Sequence, residues 1–196
     1  TQILARGLAS AKKKPRVLVS ASAIGYYGDA GETWLSEQSP AGDDFLAEVC
    51  QAWEAATQPA RDAGIRVVNL RIGVVLSKTG GALAKMLTPF RLGLGGRVGN
   101  GRQYWSWIAL PDLVGVIRHA LASTTLEGPV NTVAPAAVTN AEFTRILGRV
   151  LGRPTLFPLP AFMARAMLGE MADALLLSST RVSAEKLQQS GYRFEY

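Results

Sequence analysis

The sequence has a single cysteine, Cys50, and a single histidine, His119, among 196 residues. One thiol cannot close an internal disulfide, which fits a reducing compartment. His119 has no acid or cysteine at ligand spacing, so no metal site is expected. Apolar runs are broken by Gly, Pro or polar residues well short of the ~20 residues a membrane span needs, and the opening residues do not resemble a signal peptide. A cytoplasmic protein without membrane contacts is expected. Glycine-rich phosphate motifs are missing too. There is no GxxxxGK[ST], and Gly93-Leu94-Gly95-Gly96 neither follows a strand nor opens a helix, which excludes a P-loop or dinucleotide fingerprint there. The formal charge of +6 is scattered except at Lys12-Lys13-Lys14. No basic patch carries interleaved aromatics, so nucleic acid is not an expected partner.

What is present is material for one good core, with 48% hydrophobic and 18% charged residues. The stretch Val17 to Asp29, VLVSASAIGYYGD, organises the chain. Val17 to Ser20 is a short continuous apolar run of the kind found in buried parallel strands, and ligands gather where such strands end. Ser22 to Tyr27 therefore reads as the rim of a site. Thr1 to Ala11, with Ile3, Leu4 and Leu8 at helical spacing, leads into this strand. Gly31 to Gly42 reads as a surface loop over the site. Asp43 or Asp44 can cap the next helix, whose Phe45, Leu46, Val49, Cys50, Trp53 and Ala56 share a face predicted to pack inward. On this reading Cys50 is a small core residue.

Ile65 to Leu70 is the second apolar strand, and the intervening helix supplies a parallel crossover. Arg71 follows at its carboxyl end, where α/β ligands sit. Gly80-Gly81 opens a helix over Ala82 to Leu92 with Leu83, Met86, Leu87 and Phe90 on one face. Gly93 to Tyr104 is expected to be a flexible binding loop. Trp105 to Ile108 alternates as one short strand. Pro111 and Asp112 start a helix through Ala122, the acid suiting its amino end. Gly128 to Ala134 reads as a strand, and Thr139 or Asn140 caps a helix to Leu151. Helices near Phe162 to Met167, Ala172 to Leu177 and Ser183 to Gln189 complete the chain.

In this order, VLVSASAIGYYGD, LRIGVVLSKTGGALAKMLTPFRLGLGG, GNGRQYWSWIALPDLVG, GPVNTVAPAAVTNAEF and LGEMADALLLSSTRVSAEKLQQSGYRF resemble one family. It is that of the atypical short-chain dehydrogenase/reductases called nucleoside-diphosphate-sugar-epimerase-like, and the resemblance covers nearly the whole chain. It implies an α/β fold with a partial Rossmann-type doubly wound parallel sheet. Residues 1–134 would form the second half of a Rossmann-like domain with inserted binding loops. Residues 135–196 would form a small, mostly helical carboxyl-terminal substrate region. Family members open with a GxxGxxG turn that meets the cofactor pyrophosphate. This sequence has none, and Thr1 matches a point after the first several strands and helices. The expectation is that a preceding amino-terminal half or a partner chain covers the innermost strand, which would otherwise be bare.

The function implied by the resemblance is that of an NADP(H)-dependent oxidoreductase or epimerase-like protein, with NADP preferred over NAD. Its substrate would be a small molecule, nucleotide-linked ones included. The alternative is a dinucleotide-binding sensor or interaction module without catalysis. The superfamily's Tyr-x-x-x-Lys falls on Leu46 and Cys50, which cannot do its proton chemistry. The catalytic serine falls on Ala23 by an ungapped count, or on Ser22 with one more loop residue. Tyr26 and Tyr27 are then the candidate acids. The resemblance places Arg71 against a cofactor phosphate, with Gly73 letting the backbone approach and Ser22 beside it. On the substrate side, Trp105 stands where the family has a diphosphate-binding arginine, Arg102 can replace that arginine, and Asp112 is the remaining acid of a pair.

Overall fold

In the computed structural model, residues 1–169 and 172–196 are described. Glu170 and Met171, inside the last of the family-like segments, lie outside them. The chain opens with α1 (Gln2–Ser10), which delivers β1 (Val17–Ala23) and a single 3-10 turn, Ile24–Tyr27. A loop with the short β2 (Trp34–Leu35) leads to α2 (Phe45–Ala55), capped by the Asp44 carboxylate, which accepts the Ala47 N–H. Then come α3 (Gln58–Asp62), β3 (Arg66–Ile72), β4 (Val74–Leu76) and α4 (Gly81–Arg91). They are followed by β5 (Tyr104–Trp105), β6 (Trp107–Ala109), α5 (Leu110–Ala122), β7 (Gly128–Thr132) and β8 (Val138–Thr139). A Thr139–Glu142 capping box starts α6 (Asn140–Leu151). The chain ends with α7 (Ala161–Leu168), one wide turn at Asp173–Leu177, β9 (Arg181–Val182) and α8 (Glu185–Gln189).

The main sheet is parallel, in the order β1-β3-β7. Its two faces are built by alternation along each strand. Val68, Leu70 and Val130 point to one side, where they pack with Ile108, Val116 and Ala120 under α5. Val67 and Leu18 point to the other, against Ala5 of α1 and Ala60 of α3. A third cluster ties the rim to the tail of the chain, joining Ile24 and Tyr27 to Leu35, Val133 and Val182. The strands of the last third return to earlier ones, β9 pairing with β2 and β8 with β5. No helix of the described residues is long and apolar enough to cross a membrane.

Four local expectations are corrected. The first strand runs on to Ala23, because Ser22 and Ala23 pair with Arg71 and Ile72; Ser22 is thus a strand residue. Trp105 to Ile108 is two strands with different partners, separated by buried Ser106. Its hydroxyl donates to the Thr180 carbonyl at 2.8 Å and accepts the Val182 N–H at 2.9 Å, so the side chain breaks the run. Phe45 and Trp53 are 76% and 47% exposed, while the small Ala47 and Cys50 turn inward. The inward side of α2 faces the rim, where a Cβ on Gly25 would be in ordinary contact with the Leu46 Cβ at 3.5 Å and the Cys50 Sγ at 3.9 Å. Finally, the last helix starts at Glu185, since Arg181 and Val182 are taken by strand pairing.

Candidate functional site

Register brings three polar residues onto one rung at the carboxyl ends of the sheet. Ser22 of β1 pairs with Arg71 of β3, and Arg71 with Asn131 of β7. All three share the face of Leu18 and Val67, below α2. Glu54 reaches this rung from α2, one turn beyond Cys50 on the inward side. Its two oxygens accept from Arg71 Nε at 2.8 Å and Nη2 at 3.0 Å, a bidentate pair, and Oε1 also accepts the Ser22 hydroxyl at 2.9 Å.

The rim closes the other side. The Tyr27 hydroxyl donates to Asn131 Oδ1 at 2.6 Å and accepts from Arg71 Nη1 at 3.0 Å. Glu37, in the loop after β2, accepts the Asn131 N–H at 2.8 Å, and its carbonyl accepts from Arg71 Nη1 at 3.4 Å. The Arg71 guanidinium lies over the Tyr26 ring, with Cζ 3.4 Å from the ring centroid, a cation–π contact. Burial alone would lower the Arg71 pKa; the Glu54 carboxylate and the Tyr27 oxygen outweigh it and hold the guanidinium above the ordinary arginine value. Burial also raises the Tyr27 phenol, in spite of the Arg71 charge beside it. It pushes the Cys50 thiol up as well, so neither group is primed to lose a proton.

These contacts redistribute the expected roles. Arg71 is 2% exposed, and its fork bonds to Glu54, Tyr27 and Glu37 of this chain. Ser22 and Tyr27 are hydroxyl donors inside the same network, not free acids. Tyr26 differs. It is half-buried, and among the described residues its hydroxyl has no partner. Gly73 is required by packing, since a Cβ there would lie 2.6 Å from the Ser106 carbonyl and 2.8 Å from Val133; the close approach is to backbone of this chain.

On the substrate side the expected trio is dispersed. Asp112 is 1% exposed, and its carboxylate accepts the Tyr192 hydroxyl and the Glu195 N–H at 3.0 Å and the Tyr196 N–H at 3.1 Å. It anchors the end of the chain. Arg102 is exposed, and its backbone N–H donates to Asn100 Oδ1 at 2.9 Å. Trp105 is buried, its ring 5.3 Å from that of Phe143 on α6. Sequence reasoning missed Glu54, Glu37 and Asn131. Glu54 carried a usable signal: it follows Ala47 and Cys50 by seven and four residues, the spacing of one inward helix face. Glu37 and Asn131 carried none, because only tertiary pairing brings them to the rung. No group of three or more potential metal ligands occurs among the described residues.

A parallel sheet with helices on both faces and a polar rung at its strand ends defines a Rossmann-like α/β protein. Comparison with known proteins makes the class specific. Residues 159–196 match a family described as a domain of unknown function, DUF1731. The chain is 46% identical over 196 residues to the epimerase family protein Mb2239 of Mycobacterium bovis, covering 100% of this chain and 64% of that protein. It is 42% identical over 198 residues to the epimerase family protein SDR39U1 of Bos taurus, covering 100% of this chain and 67% of the relative. The crystal structure of human epimerase family protein SDR39U1 (isoform 2) with NADPH superposes with a TM-score of 0.94 at 38% identity, over 100% of this chain and 66% of that one. The chain belongs to the SDR39U1 epimerase family. It spans 64% of the mycobacterial relative's length.

Proposed function

We propose that this chain forms the substrate-side part of an NADPH-binding protein of oxidoreductase or epimerase type. The observation that supports this most is the fold match, over the whole of this chain, to the human relative crystallised with NADPH. The site suits a dinucleotide: β1 is an outer strand of the described sheet with one edge free, and the rim 24–27 lies at its carboxyl end, where α/β sheets take nucleotides. NADPH bound there would supply a hydride.

This chain's part is to shape the crevice and to hold a proton. The Glu54–Arg71 pair fixes the rung, and Arg71 backs the Tyr26 ring. Tyr26 is the half-buried phenol of the rim, its ring held by the Arg71 guanidinium, and proton transfer is assigned to it. The test is NADPH oxidation by the intact protein across a panel of carbonyl compounds and sugar nucleotides. At least one substrate should oxidise NADPH, and Tyr26→Phe should slow that turnover by about 10²-fold or more with NADPH affinity unchanged. Turnover indifferent to Tyr26→Phe would remove the assignment.

A second reading, dinucleotide binding without catalysis, is favoured by one feature. The hydroxyls of Ser22 and Tyr27 are both committed to internal acceptors. NADPH that binds yet is never oxidised, with no sugar nucleotide epimerised by the NADP+-loaded protein, would select it.

A further inference from the structure

A cavity of about 430 Å³ lies away from the strand-end rung, between α4, α6 and the loops around Gly95 and Pro158. That volume is within the range of small-molecule sites. Its walls are Met86 and Phe90 of α4, Phe143 of α6, Trp105 of β5, and Leu94 and Phe157 from the loops. No lysine, arginine, histidine, aspartate or glutamate is among the described lining residues. An ionised phosphate inside would lose its hydration with no counter-charge to replace it.

The wall is built, not loose. A Cβ on Gly95 would sit 2.6 Å from the Phe90 ring, and one on Gly96 would run into the Phe157 carbonyl, so this loop is seated directly on the aromatic residues. Val98 adds a bridge to Leu159, and the Val98 N–H is taken by Asn140 Oδ1 at 2.8 Å. Leu94 and Phe157 are 57% and 58% exposed at the mouth, with exposed Leu92 and Leu156 beside them in the chain. One polar atom stands out. Trp105 Nε1–H is buried and has no acceptor among the described residues. A buried donor left unpaired is costly, and a ligand acceptor would relieve it.

We infer that this pocket binds a neutral, largely apolar small molecule, an aromatic or hydrocarbon body carrying one hydrogen-bond acceptor for Trp105 Nε1, and that it does not take a nucleoside diphosphate. None of the lining residues belongs to the strand-end network, so the inference is independent of NADPH binding. The intact protein should be titrated with the neutral fluorophore N-phenyl-1-naphthylamine, and the complex then challenged with UDP. Saturable binding at one site is expected, with no displacement by millimolar UDP. Leu94→Asp, at an exposed position that leaves folding intact, should weaken the probe by about tenfold or more by placing a charge at the mouth. Trp105→Phe should weaken by a few-fold an analogue of the probe that carries a carbonyl. Non-saturable binding, unchanged affinity in Leu94→Asp, or displacement by UDP would overturn the inference; the UDP challenge uses the unmutated chain and does not depend on either variant folding. NADPH titration of the same samples reads the other site separately.

Discussion

Arg71 carries a full positive charge behind the rim at 2% exposure, and the two oxygens of Glu54 make that burial tolerable. Glu54→Ala should therefore destabilise the protein by about 3–5 kcal/mol in urea unfolding, because it leaves a buried charge unpaired. Ser22→Ala removes one hydroxyl donor from the same carboxylate and should cost only about 1 kcal/mol. Equal losses would contradict the central place given to the ion pair. Tyr27 supplies a pH signature. Its folded pKa is raised, chiefly by burial, so above about pH 10 the unfolded chain loses a proton that the folded chain keeps. Its stabilisation is complete below about pH 10 and is lost as the pH rises through the higher folded value. Unfolding free energies at pH 8 and 10.5 should thus fall less in Tyr27→Phe than in the unmutated protein, and an equal fall would count against the buried phenol.

The elements were largely readable from periodicity and caps. Asp44, Thr139 and Pro111 start the helices where their chemistry suggests, and the apolar runs at Val17 and Ile65 are parallel neighbours. What could not be read was which way a helix face turns. Phe45 and Trp53 have the spacing of a core stripe, yet Ala47 and Cys50 are the residues buried on this helix. Asp112 shows the same limit: its helix-start position was legible, but its partners come from the last five residues of the chain. On α5, Gly115 leaves the space in which the Tyr192 hydroxyl crosses the helix. Asp112→Ala should cost about 1–3 kcal/mol by removing the acceptor of two N–H groups, the Tyr192 hydroxyl keeping the Asp112 carbonyl at 3.0 Å. It should also speed amide exchange at Glu195 and Tyr196, and protection there equal to that of the unmutated protein would contradict the anchoring role.

At the scale of the whole molecule, the parallel sheet and the position of the rim at its strand ends followed from apolar runs. The roles at the rim did not, because an arginine at a strand end reads the same whether it faces a phosphate or a carboxylate of its own chain. Only the approach of α2 separates the two, and it hands Arg71 to Glu54. We propose that the free edge of β1 is where a further strand pairs and where the remainder of the cofactor site meets this rim. Calorimetric titration of the intact protein with NADPH and with NADH tests the account most directly. NADPH should bind saturably and more tightly than NADH, and it should raise the thermal midpoint in step with its occupancy. Failure of both nucleotides to bind would contradict the account.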